Sequence, residues 1–156
     1  GSGITTDKVG IILHNRGTNF RIEEGHPNCI EGLKRPLHTI IPGIVLDHNG
    51  LSSLSYGVMG GQYQPVGQVH VLNNILDFEM SPQQAITFPR AFHFNNVYKL
   101  EKEVSEEIKD GLSTIGHNAV YVDETHGGGQ AIQIDRLKGN LIGGSDPRKD
   151  GYAKGY

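Results

Sequence analysis

Cysteine is nearly absent. Cys29 stands alone in 156 residues, which excludes an internal disulfide and any cysteine-rich metal site. A basic surplus is missing too. Lys and Arg total 14 against 17 Asp and Glu, for a net charge of -3. That balance lacks the basic stripe of a nucleic-acid binder, so no nucleic-acid partner is expected. No run approaches the ~18 apolar residues of a membrane helix, so no membrane span is expected. The eight histidines form neither His-Glu-x-x-His nor a pair at i, i+4, and His26 with Cys29 has no second ligand pair. No metal and no cofactor is expected. What the chain has in excess is glycine: 22 residues of 156, about twice the usual ~7%. Such a composition serves tight turns and close backbone approach.

The opening Gly1-Ser2-Gly3-Ile4 has no initiator Met and no signal-peptide core, so it reads as a cloning scar or as a start inside a larger protein. Val9 to His14 is short, apolar and β-branched, and predicts a buried strand. Asn15 to Lys34 predicts a long loop of about twenty residues, a length that is often functional. Asp47-His48-Asn49-Gly50 between two strand-like runs predicts a hairpin, with a return strand from Leu51 to Met59. A helix is expected over Gly67 to Phe78, with Val69, Leu72, Ile75, Leu76 and Met80 at helical spacing. Ser81 caps a second helix that Pro89 stops. Val97 to Val104 alternates as a strand that exposes Tyr98 and Glu101. Ser105-Glu106-Glu107 starts a helix running to Ile115. Strands are expected over Ala119–Val122, Gln130–Asp135 and Asn140–Gly143. The class predicted is α+β with largely antiparallel sheets.

Few residues carry chemistry on their own account. Cys29 is a loop cysteine without a local nucleophile signature. Thr5-Thr6 has four residues ahead of it, so its own amine cannot serve as base, and it reads as a turn. Gly60-Gly61 is more informative. A strand that ends in two glycines can aim two successive N–H groups at a developing oxyanion. A plain glycine turn between strand and helix is the alternative.

Six segments narrow the choice: Asn15-Arg16-Gly17-x-x-Phe20, Gly25-His26-Pro27-Asn28, Lys34 through Pro42, Gly60-Gly61-Gln62-x-Gln64-Pro65, Ala85-x-x-x-Pro89-Arg90, and Gly144-Ser145-Asp146-Pro147-Arg148 through Tyr152. In this order they resemble the small subunit of the gamma-glutamyltranspeptidase family of N-terminal-nucleophile hydrolases, from Gly1 to Tyr156. The resemblance implies a four-layer αββα sandwich shared with a large subunit cut from the same precursor, as a heterodimer or a dimer of heterodimers. It implies a Thr nucleophile that takes an acyl group from a small-molecule γ-glutamyl or related acyl amide and passes it to water or an amine. Residues 1–156 are expected to be the C-terminal part of the small subunit, lacking the nucleophile segment, so that Thr5 and Thr6 do not align with it. Gly60 and Gly61 take the place of the oxyanion hole, and Arg16, Asn19, His38 and Thr39 line the acyl pocket.

Two departures bear on the substrate. Transpeptidases carry Gln or Glu where Arg16 stands and Asp where Asn19 stands, to hold the α-ammonium of glutamate. The Ser-Ser pair that holds the α-carboxylate is here His38-Thr39. This pattern resembles the glutaryl and cephalosporin acylase-like members. Lys34, Arg35, Asp146 and Arg148 read as architectural, through buried ion pairing. Two rival readings are a non-catalytic relative kept for assembly or binding and a true γ-glutamyl transferase with a rewired pocket. A periplasmic or secreted location and a cytoplasmic one both fit a single cysteine.

Overall fold

Residues 1–155 are described by the computed structural model. They divide into two units, residues 1–40 and 41–155.

The first unit is built from turns. Its regular element is a 3-10 turn at Arg16–Asn19, and isolated bridges join Thr5 to Ile12 and Arg21 to Cys29. The strand expected over Val9 to His14 does not form. Gly10, with φ +64, folds the chain back on itself. Val9, Ile11 and Ile12 are 68%, 59% and 67% exposed. The long loop over Asn15 to Lys34 is present as expected.

The second unit holds the sheets. Strands β1 (Gly43–Leu46) and β2 (Ser52–Met59) form the expected hairpin. Asp47 Oδ1 accepts from the N–H groups of Asn49 and Leu51, at 2.9 Å each, and Gly50 takes φ +75. Helix α1 (Gln64–Leu76) starts three residues earlier than expected, because Pro65 sits in its first turn where no N–H is needed. Its buried side is Gly67, Val71, Asn74 and Ile75, whereas Val69 faces outward at 56% exposure. Helix α2 (Pro82–Thr87) carries a full capping box between Ser81 and Gln84.

A hairpin of β3 (Ala91–Phe94) and β4 (Val97–Leu100) follows. It replaces the single strand expected over Val97 to Val104. Helix α3 (Glu106–Thr114) starts at the Ser105 cap. Then come β5 (Ala119–Tyr121), β6 (Gly128–Asp135) and β7 (Asn140–Ser145).

One sheet has the order β1-β2-β6-β7 and is antiparallel throughout; the other has the order β3-β4-β5, with β4 and β5 parallel. Helices α1 and α2 cover one face of the four-stranded sheet, and Leu54, Val58, Tyr63, Val71, Ile75, Ala85, Ile86 and Ala131 form the core between them. Gly144 lets α2 come this close: a Cβ there would stand 2.8 Å from the Pro82 carbonyl carbon. The other sheet face is open and mixed: Ile44, Met59, Ile132 and Leu141, between 49% and 70% exposed, share it with exposed Ser55 and Gln130. The expected α+β class holds. Of a helix–sheet–sheet–helix sandwich, this unit supplies a helix layer and a sheet layer.

Candidate active site

The end of β2 is where the backbone becomes unusual. Gly60 has φ +145 and Gly61 φ +58, a pair that L side chains rarely adopt. At Gly60 a Cβ would come within 2.9 Å of the Gly127 Cα, so no side chain fits. At Gly61 a Cβ would meet open space. The turn closes with the Tyr63 N–H on the Gly60 carbonyl at 3.1 Å, and buried Gln64 donates from Nε2 to the Gly61 carbonyl at 3.3 Å. Among the described residues, no acceptor outside the regular elements takes the N–H of Gly60 or Gly61. The turn leads directly into α1, whose N-terminal dipole favours negative charge nearby. Two adjacent backbone donors at a helix start, with open space beside the second, can stabilise an oxyanion.

Beside Gly60 lies a cavity of about 210 Å³. Phe92, Phe94, Tyr63, His126 and Gly127 line it, with Lys99 and Glu124 at its rim, 3.6 Å apart as an ion pair.

Behind this turn is a buried ionic network. Arg90 and Asp146 are fully buried and meet at 2.7 Å. Arg148 holds Glu101 through Nε at 2.8 Å and Nη2 at 2.5 Å. The network grips the chain just ahead of β6. Glu101 Oε1 accepts from the His126 N–H at 2.9 Å, Arg90 Nη1 donates to the His126 carbonyl at 2.7 Å, and Asp146 Oδ2 accepts from the Gly129 N–H at 2.6 Å. Burial works against ionisation of Glu101, but the hydrogen bonds from Arg148, His126 and Arg90 outweigh it and lower its pKa. At Asp146 burial is likewise outweighed, by the N–H groups of Arg148 and Gly129 and by Arg90. The imidazoles of His126 and His70 are pushed down, foremost by burial.

The architectural reading of Asp146 and Arg148 fits this network. Lys34 instead makes an exposed pair with Glu31 at 3.7 Å, and Arg35 is exposed. Glu101 corrects an expectation. It is 3% exposed rather than on an open strand face, because it follows β4 and turns inward onto Arg148. Sequence reasoning missed the grip on His126; Pro89-Arg90 and Asp146-Pro147-Arg148 were its only visible signals.

In the first unit, three of the four expected pocket residues come together. Arg16 Nη1 donates to Thr39 Oγ1 at 2.5 Å, and Asn19 Nδ2 donates to the Leu37 carbonyl at 3.0 Å. Asn28 ties the two segments, donating to the Asn19 carbonyl and accepting from the Leu37 N–H at 3.1 Å. Asn28 was visible only as part of Gly25-His26-Pro27-Asn28. His38 is exposed beside them. The result is a cationic, hydroxyl-bearing turn in which one N–H of the Asn19 amide is already committed to Leu37. Cys29 is half-buried, with its N–H on the His26 carbonyl at 2.8 Å. Among the described residues there is no group of three or more His, Cys, Asp or Glu that could hold a metal ion, and no helix is long and apolar enough to cross a membrane.

Comparison with known proteins supplies the frame for these observations. A family model described as gamma-glutamyltranspeptidase matches residues 1–156. The glutathione hydrolase-like YwrD proenzyme of Bacillus subtilis is 37% identical, over 99% of this chain and 31% of that protein. The oxamate amidohydrolase proenzyme of Klebsiella pneumoniae is 30% identical, over 100% of this chain and 31% of that protein. The crystal structure of a cephalosporin acylase from Bacillus halodurans aligns with a TM-score of 0.79 at 37% identity, covering 94% of this chain and 28% of that one. The chain therefore spans about a third of the length of these curated relatives.

Proposed function

Because the chain belongs to the gamma-glutamyltranspeptidase family, we propose that it carries the oxyanion donors and the acyl-recognition turn of an amide-cleaving N-terminal-nucleophile acyltransferase. A Thr hydroxyl outside these residues attacks the amide carbonyl and gives its proton to its own amine. The carbonyl oxygen becomes an oxyanion facing the Gly60 and Gly61 N–H groups. Collapse breaks the C–N bond, and the leaving amine takes the proton. The acyl ester then passes to water or to an acceptor amine by the reverse steps. The observation that carries this reading is the Gly60-Gly61 turn, with paired positive φ, uncommitted N–H groups and a following helix.

The partner in this reading is a larger subunit cut from the same precursor, as a heterodimer or a dimer of heterodimers. The large apolar side chains exposed on the open sheet face and the 31% share of the relatives' length both support it.

Arg16, Asn19, His38 and Thr39 receive the acyl tail. Arg16 with the Thr39 hydroxyl suits a carboxylate, while neutral Asn19 beside a guanidinium is poorly suited to an α-ammonium. A glutaryl-like tail therefore fits better than γ-glutamyl. That one relative is named for oxamate, whose acyl group has a carboxylate and no ammonium, supports the same direction. The test is kcat/KM of the full-length protein for matched glutaryl and γ-glutamyl anilides. The glutaryl amide is expected to be cleaved at least as well. The double change Arg16→Gln with Asn19→Asp is expected to shift preference toward γ-glutamyl by roughly ten- to a hundred-fold, the size of one charge-assisted hydrogen bond. A strong wild-type preference for γ-glutamyl that survives Asn19→Ala would refute the pocket assignment.

A further inference from the structure

Tyr63 has no part in the chemistry above, yet its ring touches every segment that shapes the Gly60-Gly61 turn. It lies in a cradle of three glycines. A Cβ would stand 2.6 Å from its Cε1 at Gly67, 2.8 Å from its Cδ1 at Gly127, and 3.3 Å from its Cδ1 at Gly60. These glycines come from three places: the end of β2, the first turns of α1, and the segment entering β6. The ring also meets Phe92 edge-on at 5.5 Å and stacks on His126 at 5.6 Å.

The phenol itself contributes little. Tyr63 is 3% exposed, and its hydroxyl finds no hydrogen-bond partner among the described residues. Burial, the largest influence, pushes its pKa up to about 12, so it stays a neutral phenol. The contacts that seat Tyr63 against the three glycines, Phe92 and His126 are all made by its ring.

The contacts form a continuous path. Glu101 and Arg90 fix the two peptide groups that flank His126. That holds Gly127 where a Cβ would strike the Met59 carbonyl oxygen. The Tyr63 ring fills the space between Gly127 and Gly67, directly under Gly60. We infer that Tyr63 is a positioning residue for the oxyanion donors: its ring wedges the Gly60-Gly61 turn against the clamped His126-Gly127 segment and fixes the direction of both N–H groups. This rests on reading Gly60-Gly61 as the oxyanion hole.

The test uses the full-length, processed protein. Y63F, Y63L, Y63M and Gly61→Val are compared for kcat per titrated active site, for KM, and for affinity toward a boronic acid that mimics the tetrahedral intermediate. Y63F keeps the ring and is expected to stay within about twofold of wild type in kcat, at equal or higher thermal stability. Y63L is expected to lower kcat about 10- to 100-fold with KM within about twofold, the signature of donors displaced by a fraction of an ångström. Boronate affinity should fall by a similar factor, because it needs the same donors. A purely structural role would lower the yield of active sites and leave kcat per site unchanged.

Wild-type kcat in Y63L, alongside a Gly61→Val variant that loses turnover, overturns the inference alone. Wild-type turnover in Gly61→Val overturns the oxyanion reading on which it rests. If Y63L does not fold, Y63M decides on the same measurements, since it removes the ring while keeping more of its length. Failure of both to fold assigns Tyr63 to stability alone and overturns the inference.

Discussion

Adding one side chain at Gly61 separates a glycine that merely turns from a glycine that reacts. Its φ of +58 disfavours a β-branched residue, yet a Cβ there would meet no neighbour within 4 Å. Gly61→Val should therefore leave the surrounding packing intact while disturbing the N–H and filling the space before it. Removing one oxyanion donor costs on the order of 10²–10³ in rate. Turnover of the full-length variant is expected to fall by that factor while the subunits still assemble, as read by steady-state kinetics and size-exclusion chromatography. Gly60 is a different case. There the Gly127 backbone stands in the way, so a substitution would mix folding with function. Arg16 and Thr39 show what the sequence reveals of a site and what it hides. Family motifs point to both residues, but only the folded chain shows the guanidinium on the hydroxyl across 23 positions. Tyr63 was hidden altogether. In sequence it is one more residue near a helix start, and its role depends on glycines at 60, 67 and 127 that meet only in the fold.

Elements were legible where their signals are local. Ser81, Pro82 and Gln84 announce α2 because the capping box is written within four residues. Ser105 announces α3 as a plain N-cap that accepts from the Ile108 N–H, with Glu106 and Glu107 in the first turn, and Asp47 to Gly50 announces the first hairpin. Strand β3 was lost because its turn is Asn95-Asn96. Both residues take positive φ, 51 and 60, as a two-residue hairpin requires, but without the glycine that usually marks it. Glu101 was misplaced because strand alternation does not foretell that the chain bends inward after Leu100. That bend has a consequence for acid stability. Glu101 and Asp146 have lowered pKa values in the fold, so the unfolded chain binds protons first as pH falls. Their stabilisation is complete above the ordinary carboxylate range of about 4 and is lost as pH drops through the folded values. His70 and His126 are also lowered, so their contribution is complete above about 6.5 and declines below it. The thermal midpoint of the full-length protein is expected to be level near pH 7, to fall modestly below about 6.5 and to fall steeply below about 4. Glu101→Gln should be less stable at pH 7 and show a shallower acid limb. A midpoint that rises on acidification from pH 7 to 4 would contradict the assignment of these groups.

The molecule as a whole has a sheet with one face covered and one face bare. An antiparallel sheet that keeps one side in water normally alternates polar residues outward. Here Ile44, Met59, Ile132 and Leu141 face outward as well, among exposed Ser55 and Gln130. Four large apolar side chains bared on one sheet face suit an interaction site, and a second sheet from the same precursor is the occupant that the proposed function calls for. The central claim is that this chain belongs to the acylated half of a self-cleaved amidohydrolase. Intact-mass spectrometry of the full-length protein, acid-quenched before and during turnover of a glutaryl anilide, tests it most directly. The account expects two polypeptides, with the mass of one acyl group added to the one that contains these 156 residues. A single uncleaved polypeptide, or two polypeptides with the acyl mass on the other one or on neither while the anilide is being cleaved, would contradict it.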